Sequence, residues 1–155
     1  MKVTRNGVFE TNSSSTHAVA LTGGFSWQNI LPDKDGVIHS YLGEYGWGYD
    51  ILNTSAQKLS YLLTMISVTH SLFWANNDEE LDERIENFYN DNNFLKIEKI
   101  VCELLGAKKI VVDDWYGYVD HQSYMSIPEF LEEYNVSIED FIFGKYEMII
   151  DNDNH

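Results

Sequence analysis

The hydrophobic pattern of this chain changes its period at Thr54, and this change restricts the fold more than any other feature of the sequence. Beyond that point, the residues of one helical face recur at helical spacing: Leu59, Leu62, Leu63, Ile66, His70 and Phe73. Side chains at such spacings lie on one side of an α-helix. Before Thr54, short apolar runs are broken by glycine and asparagine, which is typical of strands and turns.

Strands are predicted near both ends of the chain. The runs KVTR and STHAVALT predict two strands, joined by the Asn6-Gly7 turn and a serine-rich loop. GVIHSYL predicts a third strand, and the glycine-rich stretch GEYGWGYD after it predicts a loop. Later in the chain, KKIVVDD and KYEMIID predict two more strands, and residues 151–155 predict a frayed tail.

Capping residues mark the predicted helices after the first one. NNDEELDERIENFY predicts a helix that begins at Asn77 or Asp78 and carries a Glu80–Arg84 pair. NNFLKIEKIVCELLG predicts a helix that ends at Gly106. Its inward residues are expected to be Phe94, Ile97, Val101 and Leu104. Ser126 and Ser137 predict the starts of two short helices.

This order of elements predicts the α+β class. We expect a mixed or largely antiparallel sheet with helices packed on one face. A chain of 155 residues without an internal repeat or linker predicts a single domain over residues 1–155. The tryptophans are expected mainly in its core, although an exposed one could anchor a partner: Trp27, Trp47, Trp74 and Trp115.

Negative charge dominates the composition. Twenty-five acidic residues against ten basic ones give a formal charge of −15. Such a field repels nucleic acids and anionic lipid, and it favours encounter with basic protein surfaces. There is no apolar run long enough for a membrane span and no signal-peptide pattern, and Cys102 is the sole cysteine. We therefore expect a cytoplasmic protein that contacts neither a membrane nor nucleic acid directly.

The second predicted helix holds six acids within residues 78–86. At a rise of 1.5 Å per residue they spread over little more than about 12 Å. A solvated helix face is the ordinary explanation. Alternatively, the carboxylates copy the spaced charge of a nucleic-acid backbone and bind a basic groove. The expected partner-binding residues are Asp78, Glu79, Glu80, Asp82, Glu83, Glu86, Glu132 and Glu133.

Two polar segments, ETNSSSTH and VDHQS, could form a catalytic pocket. Ser13 to Ser15 could contact a substrate, His17 could act as a base or metal ligand, and Asp120 beside His121 could orient an imidazole. Both segments also read as ordinary turns, because Asn and Ser side chains bond nearby backbone amides. The sequence leaves these two interpretations open.

A structural zinc is a further alternative. Imidazole and thiolate are the ligands that zinc selects, and structural sites use four of them. The available residues are His17, His70, Cys102 and His121, but their spacing matches no zinc motif. A buried histidine bonded to a carbonyl and a buried apolar cysteine are the simpler explanations for His70 and Cys102.

The blocks VFETNSSSTH, GEYGWG, KLSYLLT and YGYVDHQS resemble those of a family of small proteins encoded by phages and prophages of low-GC bacteria. The resemblance implies a phage protein that acts in the bacterial cytoplasm. Proteins of this kind often inhibit host defence, as anti-CRISPR and anti-restriction proteins do. The residues that fall in the motif positions are Glu10, Thr11, Asn12, Ser13, Ser14, His17, Glu44, Trp47, Asp120 and His121.

We therefore expect a non-enzymatic, phage-encoded inhibitor. It would bind a basic, nucleic-acid-handling surface of a host defence nuclease, with a CRISPR effector as the leading candidate, and block DNA loading. The alternative is an enzyme of unfamiliar type, a metal- or histidine-dependent hydrolase or transferase, whose pocket is formed by Ser13, His17, Asp120 and His121.

Overall fold

Both ends of the chain contribute to one antiparallel sheet. The computed structural model describes residues 2–7, 17–23, 26–120 and 125–152. Four strands neighbour one another in the order β1 (Lys2–Gly7), β2 (His17–Gly23), β8 (Tyr146–Asn152) and β5 (Asp50–Leu52). The predicted N-terminal pair of strands and the C-terminal strand are thereby confirmed. The predicted Asn6-Gly7 turn is wrong, because both residues belong to β1 and pair with Ala18 and His17. Because β8 extends to Asn152, two residues of the expected frayed tail pair with β2 instead, and residues 153–155 lie outside the described part.

Two short parallel pairs complete the β-structure. β3 (Val37–Ser40) pairs with β6 (Lys109–Val112), and β4 (Glu44–Tyr45) pairs with β7 (Tyr118–Val119). The prediction found β3 and β6 but treated residues 43–50 as a loop, and it missed β4, β5 and β7. Strands of two or three residues are too short to show alternation, so nothing in the local sequence marked them.

α1 (Ser55–Thr69) is surrounded by the rest of the fold. It starts with a capping box between Thr54 and Gln57. Nearly every residue from Leu59 to Ser67 is buried, including small polar ones on the sides away from the predicted apolar face. Thr64 Oγ1, for example, donates to the carbonyl of Ser60 at 2.7 Å, so its burial leaves no unmet donor.

The predicted apolar face also continued past the true end of α1. The helix ends at Thr69 with His70 as its C-cap, and Phe73 belongs to a separate 3₁₀ turn, Leu72–Trp74. Ser71 between them has a left-handed backbone, with φ of 56°, which redirects the chain. Helical spacing therefore predicted α1 correctly but placed its end one turn too late.

α2 (Asp78–Tyr89) and α3 (Asn92–Leu105) follow, and their caps agree with the prediction. The side chain of Asn77 accepts from the Glu80 amide, and Gly106 ends α3 with φ of 65°. The expected inward position of Leu104 is wrong, because its side chain is 48% exposed. The neighbouring Leu105 packs against the core in its place, because it lies one turn after Val101 on the same helical face.

α4 (Ile127–Tyr134) and α5 (Ile138–Phe143) begin at the predicted caps Ser126 and Ser137. Their aromatic residues Phe130 and Phe141 contact each other edge to face, with ring centroids 5.0 Å apart, beside α1. The predicted α+β class is confirmed, with five described helices packed against small sheets. Across the described ranges, no helix has both the length and the apolar composition needed to cross a membrane.

Candidate partner-binding stripe and groove

α2 presents one face to solvent and a different face to the core. With 100° between successive residues, five exposed carboxylates fall within an arc of about 140°. We call this set the α2 stripe: Asp78, Glu79, Asp82, Glu83 and Glu86. Leu81, Ile85 and Phe88 lie on the second face and pack into the core. The core therefore fixes which way the stripe faces.

Glu80 differs from the other acids of α2. Its carboxylate accepts from the Asn76 backbone N–H at 2.9 Å and also pairs with Arg84, as predicted. The bond from Asn76 is the main reason why the pKa of Glu80 lies below its usual value. Arg84 in turn donates to the carbonyl of Ser71 at 2.6 Å. Glu80 therefore fastens the start of the helix, while the stripe remains exposed beside it.

The other two acids expected to bind a partner lie on a different helix. Glu132 and Glu133 are exposed on α4, which packs mainly against α1. α2 packs mainly against α3 and the 3₁₀ turn. Glu132 and Glu133 are therefore not part of the α2 stripe, and their role stays a separate prediction.

A groove of about 560 Å³ opens at the start of α2. Its lining comes from the 3₁₀ turn, from the first residues of α2 and from residues 113–116 after β6. The Asp114 carboxylate accepts from the Tyr116 backbone N–H at 3.1 Å, which fixes the turn that brings this segment to the groove. Three acidic residues, Asp78, Asp113 and Asp114, line the groove together with aromatic ones.

Aromatic side chains continue from the groove over the adjacent surface. The ring of Phe73 lies 5.3 Å from that of Tyr116 and 5.3 Å from that of Tyr118. Trp74 and Trp47 each contact Tyr118, with ring centroids 5.9 and 6.0 Å away. We call these five residues the aromatic patch. Exposed aromatic rings in contact with one another are typical of protein interfaces.

Most tryptophans are not in the core, contrary to the sequence-based expectation. Trp27, Trp47 and Trp74 are 58%, 58% and 61% exposed. Trp115 alone among the four is half-buried, packed edge to face against Phe88 and Tyr89. Tryptophan is usually largely buried, so the exposure of these three rings could not be predicted from residue type alone.

His39 links the groove to a neighbouring turn. Its Nδ1 lies 3.1 Å from the carboxylate of Asp113, and its Nε2 lies 2.9 Å from that of Asp33. The hydrogen bond with Asp33, followed by that with Asp113, raises the pKa of His39. Nothing in the sequence indicated the His39–Asp113 contact, because these residues are 74 positions apart and are brought together by the β3–β6 pair.

The predicted catalytic residues are only partly described. Ser13 and His121 lie outside the described residues. His17 lies in β2, where it pairs with Gly7 and Asn152. Asp120 is buried, and its backbone N–H donates to the carbonyl of Tyr45 at 2.9 Å. The pocket expected from ETNSSSTH and VDHQS therefore stays a prediction.

Of the residues proposed for zinc, His70 pairs with a carboxylate and Cys102 is buried. His70 Nε2 lies 2.7 Å from the carboxylate of Asp91, which caps α3, so this pair joins the end of α1 to the start of α3. Cys102 is buried, and burial raises the pKa of its thiol. Within residues 26–120 and the other described ranges, no three His, Cys, Asp or Glu side chains are grouped to hold a metal ion. The structural zinc thus gains no support from the described residues.

In comparisons with known proteins, no family model, no curated protein and no solved structure matches this chain.

Proposed function

We propose that this chain is a non-enzymatic binding protein whose α2 stripe docks on a basic, nucleic-acid-handling surface of another protein. The observation that carries the proposal is the sorting of charge on α2. Its exposed carboxylates cluster within one arc, and its apolar residues Leu81, Ile85 and Phe88 pack against the core on a separate face. A rigid helix with its acids on one side presents negative charge at fixed spacing.

Such a stripe is suited to compete with a phosphodiester backbone for a basic protein surface. Lys and Arg side chains form charge-assisted hydrogen bonds with carboxylates as they do with phosphates. The formal charge of −15 attracts a basic surface over a distance and repels nucleic acid from the protein itself. α2 is also well anchored, because Phe88 is fully buried at one end and Asn77 caps the other. Little ordering is therefore needed on binding.

The biological setting of the proposal comes from the resemblance of four sequence blocks to phage and prophage proteins. On that basis the partner is a host defence nuclease in the bacterial cytoplasm, with a CRISPR effector as the first candidate. Binding of the α2 stripe in the DNA channel of the nuclease would prevent DNA loading.

The test is competition between this protein and DNA for a purified CRISPR effector with its guide, measured by fluorescence anisotropy of labelled DNA. We expect the protein to displace DNA, and the effect to weaken as salt rises from about 50 to 200 mM, because ion pairs are screened. Glu83→Lys with Glu86→Lys should weaken the competition at least about tenfold. Inhibition that does not change with salt would contradict the proposal.

A matched double variant separates the stripe from overall charge. Asp35→Lys with Glu103→Lys changes the formal charge equally, but both residues are exposed outside α2. This control should keep most of the competition. Equal losses in the two double variants would mean that only net charge matters, and the docking role of α2 would be abandoned.

A further inference from the structure

We infer that the groove at the start of α2 receives an arginine side chain of the bound partner. This inference rests on the proposed function, since it names the group that a basic partner would insert beside the α2 stripe. The groove lies next to Asp78, the first residue of the stripe, so one partner surface could contact both.

The lining of the groove combines the two chemistries that a guanidinium group uses. Tyr116 is 60% exposed and contacts Phe73, so aromatic faces are open to a stacked cation. Asp78, Asp113 and Asp114 line the groove, and carboxylates are the acceptors that guanidinium N–H groups prefer. A planar group that stacks and donates several hydrogen bonds at once fits this arrangement better than lysine does.

An anion fits the groove poorly, although a helix begins there. Asp78, Glu79 and Glu80 occupy the first turn of α2 and offset the positive end of the helix dipole. Asn77 already accepts from the Glu80 amide at 2.8 Å. A phosphate or carboxylate in the groove would therefore meet the like charges of its lining residues Asp78, Asp113 and Asp114. A purely apolar side chain would bury those carboxylates without pairing them, which is also costly.

The volume and the neighbouring surface indicate a side chain on an extended segment. About 560 Å³ is within the range of pockets that hold small ligands, and it exceeds what one side chain fills. Phe73 belongs both to the groove and to the aromatic patch, so a peptide entering the groove would continue over Trp74. The arginine would thus be the anchor of a longer contact.

The test uses capped pentapeptides, acetyl-Gly-Gly-X-Gly-Gly-amide, with arginine, lysine, citrulline or leucine at X. Binding is followed by NMR shifts of the Trp115 indole and the Tyr116 amide. We expect the arginine peptide to bind about fivefold more tightly than the lysine peptide, with citrulline and leucine weaker still. Equal binding of arginine and lysine, stronger binding of leucine, or shifts confined to residues outside the groove would overturn the inference.

Two variants and a control test whether the preference for the arginine peptide arises in the groove. Tyr116→Ala removes an exposed stacking face, and Asp114→Asn removes a charge but keeps the oxygen that accepts from the Tyr116 amide. Each should reduce the arginine preference to about twofold or less. Tyr49→Ala removes another exposed tyrosine, outside the groove, and should keep the full preference. A loss in all three variants would overturn the assignment to the groove.

The DNA-competition assay distinguishes failure of this inference from failure of the proposed function. If Glu83→Lys with Glu86→Lys abolishes competition while Tyr116→Ala has no effect in either assay, the stripe docks and the groove is not an arginine site. If the arginine preference is found but no competition with DNA occurs, the groove assignment holds and the proposed partner surface is wrong.

Discussion

Lys58 allows the sharpest test of the physical reasoning, because it is a fully buried cation in the middle of the fold. Its side chain is 0% exposed on α1. The ammonium group donates to the Ser26 hydroxyl at 2.8 Å and to the carbonyls of Tyr146 and Gly144 at 3.0 and 3.2 Å. These three acceptors are neutral, so burial is the dominant effect and lowers the pKa of Lys58 from 10.5 to about 8.

This shift links stability to pH in a defined direction. Between pH 8 and 10.5 the unfolded chain holds a proton on Lys58 that the native state has released, so the free energy of unfolding rises with pH there. At neutral pH both states are charged and the native state bears a cost of about 3 kcal/mol. Of this cost, about 2 kcal/mol should be relieved between pH 7 and pH 9.5.

The assay is urea unfolding followed by circular dichroism, with wild type compared to Lys58→Met at both pH values. Subtracting the variant removes other titrations, such as those of Tyr45 and Tyr61, whose pKa values burial raises above 10 and which act in the opposite direction. The wild-type value minus the variant value should grow by about 2 kcal/mol from pH 7 to pH 9.5. Lys99→Met removes an exposed lysine of α3 and should give a nearly constant difference. If the free energy of unfolding of wild type minus that of Lys58→Met is also the same at both pH values, the buried-cation argument is refuted.

Three further predictions concern the elements that shape the groove and the stripe. Below pH 6.5, the unfolded pKa of His39, the contacts of the protonated imidazole stabilise the fold. This stabilisation is lost as the pH rises through the raised pKa of the folded state. His39→Gln should therefore lower the melting temperature at pH 5.5 and have little effect at pH 9. Gly117→Ala should lower the free energy of unfolding in urea by about 2 kcal/mol, because a Cβ there would lie 2.4 Å from Leu42 Cβ. Gly48 has open space around it, so Gly48→Ala should cost less than about 1 kcal/mol. Asn77→Ala should cost about 1 kcal/mol by the same measurement, and no loss would mean that the bond to the Glu80 amide is not needed to start α2.

The sequence predicted best the elements that depend on neighbouring residues. Asn77, Ser126, Ser137 and Gly106 act within one helical turn, and all four have their predicted roles. The α2 stripe could likewise be predicted, because helical spacing alone sets the positions of its acids. The Glu80–Arg84 pair follows from the same local rule.

The groove could not be predicted, because it depends on segments that meet only in the folded chain. Asp113 and Tyr116 follow a strand whose partner is β3, some seventy residues earlier. Phe73 reaches the groove only because α1 ends at Thr69, one turn before the helical pattern does. The same limit explains Lys58, since the polar groups that surround its ammonium lie thirty-two or more residues away.

The formal charge of −15 can be related to function only after the acids with structural roles are excluded. Asp91 caps α3 and holds His70, Asp33 holds a turn and His39, and Glu80 fastens the start of α2. These acids are occupied inside the fold whatever the protein binds. Asp82, Glu83 and Glu86 have a different position, since they are exposed on the side of α2 that faces away from the core. Like charges crowded on one face repel one another, so the fold gains no stability from this arrangement. A partner that supplies the opposite charge would gain from it, and this is the physical reason to look for the function of the chain at α2.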